Sequence, residues 1–156
     1  MFLFKKLFNK KWIILIAGLM LSSACSQPKP GNIHYGVDAC SHCQMIISDS
    51  RFASELITSK GKVYKFDSVE CLAGYLKDNP ESQKNAKLWV SDLITHDKWI
   101  PAGKAVYLHS QTIKSPMGMG FSAYETQTAA DSMQTQYGGD VMNWDMVLNW
   151  TDRHMQ

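Results

Sequence analysis

Two β-rich stretches, Phe52 to Thr58 and Lys62-Val-Tyr-Lys-Phe66, are separated only by Ser59-Lys-Gly61 and run straight into Asp67-Ser68. A glycine-containing connection of that length reads as a hairpin. Asp-Ser at the end of the second stretch reads as the cap of a helix through about Lys77, with Val69, Leu72, Ala73 and Leu76 on one face. Little else can be built from a hairpin that feeds directly into a helix except a ββα unit. A second β region follows in Leu88 to Ile94, Lys98-Trp-Ile100 and Ala105 to His109. Gly120 to Tyr124 then reads as a strand, and Glu125 to Tyr137 as a helix stopped by Gly138-Gly139. Phe66 to Leu76 and Tyr124 to Gln134 share this strand-to-helix layout, as two copies of one unit would. The expected class is α+β, with two ββα-like units and mostly antiparallel strands. Val141 to Trp150 reads as a strand and a short helix that serve packing.

Upstream, Lys5, Lys6, Lys10 and Lys11 precede the apolar run Trp12 to Leu21. Ten residues are too few for a spanning helix, which needs about 20, but they suit the apolar region of an export signal. Leu21-Ser-Ser-Ala-Cys25 and the proline-broken Ser26 to Asn32 then resemble a bacterial lipoprotein signal, in which the cysteine is acylated and becomes the first mature residue. The expected organisation is a signal peptide over 1–24, a lipid-anchored linker over 25–33 and one globular domain over 34–156. The expected location is the cell envelope, with Cys25 anchored in the inner or outer membrane and the domain facing the periplasm. The first 24 residues hold four of the 16 basic residues and none of the 14 acidic ones, so the remainder is slightly acidic. That removes the electrostatic case for a nucleic-acid partner.

The chemistry concentrates in Asp38-Ala-Cys40-Ser-His-Cys43-Gln-Met45. Two thiolates two residues apart can face one ion from a single tight turn, and sulfur ligands select Cu(I), zinc or iron–sulfur centres. A redox dithiol and a plain disulfide compete with these readings. Structural zinc sites take four ligands, and no second CxxC or close histidine pair is present to complete one. A thioredoxin-type dithiol belongs between a strand and a helix, whereas this one precedes every expected strand; a thiol pKa well below the free value would speak for it. Copper is favoured by thioether sulfur in turn-rich sequence: Met45, and Met117 and Met119 in Ser115-Pro-Met-Gly-Met-Gly120. Met133, Met142 and Met146 read as core filling. His42 and His109 are secondary candidates. Cys71 reads as a small buried apolar residue, and Asp67 as a helix cap.

In this order, the lipoprotein cysteine, Asp-x-Cys-x-x-Cys-x-Met, the strand pair ending in Phe-Asp-x-x-x-Cys, and the late Pro-Met-Gly resemble the NosL family of copper chaperones associated with nitrous oxide reductase, from about Tyr35 to Tyr137. Gln44 stands where the family usually has glycine, and Ser68 where many members have a second aspartate. The resemblance implies a non-enzymatic lipoprotein that carries Cu(I) to a copper-accepting cuproprotein or its assembly factors. The motif maps onto Cys40, Cys43, Met45, Asp67, Cys71 and Met117, with Met119 beside them. The expected copper ligands are Cys40, Cys43, Met45, Met117 and Met119. A thiol–disulfide oxidoreductase and a surface module for copper storage or sensing are the alternatives, and a homodimer around copper is a further option.

Overall fold

The computed structural model describes residues 29–96 and 98–155. The expected signal segment 1–24 and the lipidation position Cys25 lie outside them. No helix among the described residues is long and apolar enough to cross a membrane.

The first unit is built as its sequence suggests. Strands β1 (Ser54–Ile57) and β2 (Val63–Phe66) pair antiparallel, with Ser54 opposite Phe66 and Ile57 opposite Val63. Gly61 closes the hairpin at φ +82°, a left-handed conformation that glycine adopts without a Cβ penalty. Helix α1 (Val69–Asp78) starts at once, because the Ser68 hydroxyl accepts the Cys71 N–H at 3.2 Å. It ends at Asn79, ahead of Pro80. Strand β3 (Lys87–Ser91) then returns to pair with β1, and β4 (Trp99–Pro101) extends the sheet to the order β2-β1-β3-β4.

The second unit repeats the scheme. Strands β5 (Val106–His109) and β6 (Phe121–Tyr124) pair antiparallel, α2 (Gln127–Tyr137) follows from a Thr126 cap, and β7 (Asp140–Met142) returns to pair with β5. The sheet order β6-β5-β7 matches β2-β1-β3 element for element. The fold is thus α+β, made of two antiparallel ββα-type units. A final helix, α3 (Trp144–His154), is capped by the Asn143 side chain, which accepts the Met146 N–H at 2.9 Å. Leu56, Phe66, Leu72, Val90, Tyr107, Phe121 and Val147 share one core, so both sheets and α3 close over the same apolar interior.

The structure departs from expectation in three places here. Leu88 to Ile94 is not one strand: β3 stops at Ser91, since the Asp92 carboxylate turns the chain by accepting from the Thr95 N–H and hydroxyl. The last helix is eleven residues long rather than short. Met133 and Met142 do pack against the core, but Met146 is half exposed and fills nothing.

Gly138 and Gly139 separate two effects that usually travel together. Both have positive φ, +68° and +97°, but a Cβ on Gly138 meets nothing within 4 Å, whereas one on Gly139 would lie 2.1 Å from the His109 carbonyl oxygen. Gly138→Ala should therefore cost about 2 kcal/mol, from backbone strain alone, since φ +68° with ψ −169° is a region essentially restricted to glycine. Gly139→Ala should cost at least about 3 kcal/mol, because β7 cannot approach β5. Urea denaturation of the two variants measures the difference.

Candidate metal centre

The CxxC segment forms a knuckle beside β2, the edge strand of the first sheet. Cys40 N–H donates to the Met45 carbonyl at 2.8 Å, and Gln44 N–H to the Cys40 carbonyl at 3.1 Å. Ala39 and Ile46 make an isolated antiparallel bridge. Gln44 sits at φ +64°, the left-handed conformation, which accounts physically for a glycine preference there. The knuckle is fixed to the hairpin by Ser41 N–H to the Lys65 carbonyl at 2.7 Å and by the Lys65 ammonium to Asp38 at 2.7 Å.

That attachment carries the thiols to the end of β2, where the chain enters α1. Cys40, Cys43, Asp67 and Cys71 each direct one donor atom into a common space, and the four atoms lie within 4.8 Å of one another. Cys40, Asp67 and Cys71 are buried, and Cys43 is half-buried. The three described cysteines are free thiols. Cys43 donates to Asp67 Oδ2 at 3.4 Å, and Asp67 Oδ1 is buried without a partner.

The thiols are electrostatically unequal. Cys40 is lowered to about 6, chiefly because the Cys71 thiol donates to its sulfur and then because the backbone N–H groups of Asp67, Cys43 and His42 point at it; burial opposes them. Cys43 is raised to about 11, first by burial, with the Cys40 sulfur adding to it. Cys71 is raised too, foremost because its proton is held by Cys40 and then by burial. At neutral pH the metal-free site thus holds one thiolate and two thiols.

Two residues that the sequence placed elsewhere belong to this site. Asp67 is not the cap of α1, a role taken by Ser68; its carboxylate faces Cys43 instead. Cys71 is buried as expected, but among donors rather than in a purely apolar setting. With these two the donor count reaches four, so the lack of a second CxxC does not exclude zinc. The signal that could have found them is Phe66-Asp-x-x-x-Cys71: an aspartate just before a helix and a cysteine at its third position lie near one helix end.

His42 is outside the cluster. Its ring lies over α1, with Nδ1 3.6 Å from Asp78 Oδ2 and Nε2 2.7 Å from where a Gly74 Cβ would be. His109 is also elsewhere, stacked on Phe121 at a centroid distance of 4.7 Å and tilted against Trp150 at 4.8 Å. Met45 has a half-exposed side chain, and its N–H points at the Cys43 sulfur. Met117 and Met119 are half-buried against the core cluster that contains Cys40 and Cys71. Their loop is held at the first turn of α1, where the buried Glu70 carboxylate accepts from the Ser115 hydroxyl and, at 3.4 Å, from the Phe121 N–H.

A model of the NosL family matches residues 34–149. The chain belongs to the NosL family. A crystal structure titled as the copper chaperone NosL from Shewanella denitrificans is similar to it, with 25% sequence identity and a TM-score of 0.65 over 76% of this chain and 95% of that one. No curated protein matches the chain.

Thiolate absorbance of the reduced, metal-free protein should rise in a step near pH 6 that disappears in Cys40→Ser, while Cys43 titrates near 11. Since folding depresses Cys40 from its ordinary 9.0, unfolding takes up a proton between about pH 6 and 9. Stability from this group is therefore gained as pH rises through that window and lost as pH falls through 6. Cys40→Ser should flatten the slope in denaturation curves. A first thiolate step above pH 8 would show that the knuckle does not hold the charge.

Proposed function

We propose that this protein is a copper chaperone that holds Cu(I) as cargo, in a site built on the thiolates of Cys40 and Cys43 and completed by thioether sulfur, with Cys71 remaining a thiol beside them, and passes it to a copper-accepting protein. The observation that carries this reading is the convergence of three free thiols and the Asp67 carboxylate, one donor atom from each within 4.8 Å of the others, beside a loop with two methionines. The NosL membership and the copper-chaperone title of the similar structure agree with it.

Protonation favours Cu(I) over zinc. Filling the site with Zn(II) on all four donors requires deprotonating both Cys43 and Cys71, each of which is held above its ordinary value. A monovalent ion satisfied by two thiolates needs only one further proton removed, and neutral methionine sulfur can supply the remaining contacts. Such low coordination leaves room for an incoming sulfur from the acceptor. Met45 and Cys43, the less buried members of the set, are where that sulfur would enter; Met117, and Met119 beside it, would tune release.

The dithiol-enzyme alternative needs a thiolate that is both depressed and accessible. Here the depressed thiol, Cys40, is fully buried, and the accessible one, Cys43, is raised to about 11. Binding and transfer therefore account for the site better than redox catalysis. Anchoring through Cys25 at a periplasm-facing membrane, and delivery to the nitrous oxide reductase assembly system, complete the proposal. Both rest on the lipoprotein-like signal and the family resemblance.

The test is an anaerobic Cu(I) titration of the reduced protein against a chromophoric competitor. One ion per chain is expected, lost in Cys40→Ser and Cys43→Ser and weakened in Met117→Ala. Affinity should rise about tenfold per pH unit above pH 6, where one thiol proton is displaced, and about twice as steeply below it, where Cys40 must also be deprotonated. Zinc displacing the copper at equal concentration, or a pH-independent affinity, would overturn the assignment.

A further inference from the structure

The connection between β5 and β6 departs from its counterpart in the first unit, running from Ser110 to Gly120 where Thr58 to Lys62 suffices between β1 and β2. It is folded back on itself. Gly118 N–H donates to the Ser115 carbonyl at 2.8 Å, and Gly120 N–H to the Ser115 hydroxyl at 2.9 Å, so Pro116-Met-Gly-Met119 forms a closed lobe. Both ends of the lobe meet one side chain of the other unit, since Glu70 Oε1 receives the Ser115 hydroxyl and the Phe121 N–H. Glu70 is fully buried, and its second oxygen has no hydrogen-bond partner. Burying a carboxyl group is costly and does nothing for an apolar core. Here the group ties a methionine loop to the helical turn that carries Cys71.

We propose that Glu70 is a positioning residue for copper exchange: through Ser115 it clamps the methionine lobe onto the first turn of α1, so that Met117 is held ready as a donor for an ion on the thiols. The inference rests on the copper reading and on Met117 as a ligand. Glu70 touches no metal itself. Without the clamp the thiols still capture one ion, but the thioether is no longer preplaced and the ion leaves faster. An amide at this position keeps an oxygen acceptor for both donors, so Glu70→Gln should preserve the clamp where Glu70→Ala does not.

The experiment compares the wild-type protein with Glu70→Ala, Glu70→Gln, Ser115→Ala and Met117→Ala, with methionine methyl groups labelled for NMR and Cu(I) loss to a chelator followed by stopped flow. In the wild type and in Glu70→Gln, the Met117 methyl resonance should shift on Cu(I) binding. In Glu70→Ala and Ser115→Ala that shift should be lost and copper release should become about tenfold faster, as expected when a donor loses its high effective concentration. Stoichiometry should stay at one ion. Ser115→Ala carries the result if Glu70→Ala does not fold, because it opens the clamp without emptying the carboxylate pocket. An unchanged Met117 shift and release rate in Ser115→Ala, alongside faster release in Met117→Ala, would overturn the clamp and leave the methionine ligand standing. No methionine shift in the wild type would remove the ligand assignment and the clamp with it.

Discussion

A sulfur atom without access to water carries a negative charge only if nearby dipoles replace the solvent it has lost. At Cys40 they are the backbone N–H groups of His42, Cys43 and Asp67 and the thiol of Cys71. The four come from three parts of the fold. The knuckle supplies two, the end of β2 supplies the third, and the first turn of α1 supplies the thiol. The hairpin register, the Ser41–Lys65 bond and the Ser68 cap are therefore not separate details of packing. Together they place four donors around one sulfur, and moving any one of them would leave a buried charge with too few partners.

The second unit repeats the knuckle around a different side chain. Leu93 N–H donates to the Ala123 carbonyl as Ser41 does to Lys65, His96 N–H donates to Asp92 as Gln44 does to Cys40, and His96 shares the positive φ of Gln44. By this correspondence Asp92 stands at the place of Cys40, Thr95 at Cys43, Glu125 at Asp67 and Ala129 at Cys71. The Asp92 carboxylate accepts from the Thr95 N–H at 3.2 Å, much as the Cys40 sulfur is approached by that of Cys43. One knuckle holds a carboxylate and uses it to shape a turn. The other holds a thiolate, which can also bind a soft ion. The turn geometry is common to both; the chemistry depends on which side chain fills it.

Local signals were enough for the architecture, because a three-residue glycine connection, a Ser cap and a Gly-Gly stop act within a few residues of themselves. The donor set was only half visible for the converse reason. Asp67 and Ser68 are both good caps, and sequence cannot say which one faces the helix N–H groups; the loser of that competition became the carboxylate of the site. Cys71 lies between core-facing Val69 and Leu72, so helical spacing gives it no direction until the knuckle arrives from about thirty residues upstream. His42 misled in the opposite way, since a residue inside the CxxC turn can point along α1 as easily as into the cluster. Leu88 to Ile94 is rich in β-forming residues on both sides of Asp92, and the carboxylate between them ends the strand by capturing its own chain.

The two units, alike in topology, differ in what they bring to the site. The first has a short hairpin connection and the ionisable thiols, and so carries the charge and the pH dependence of the site. The second has no thiols at the matching positions, but its β5–β6 connection is lengthened into the methionine lobe pinned on Glu70. Charged sulfur alone would bind copper tightly and surrender it slowly, because every thiolate released must be reprotonated or returned to a desolvated pocket. Neutral sulfur alone would have little hold on the ion in competition with water. On the proposed copper reading, placing the two kinds of donor on separate units that meet at α1 would let a neutral ligand detach and return without moving the buried thiolate, and an acceptor would enter the site during that interval.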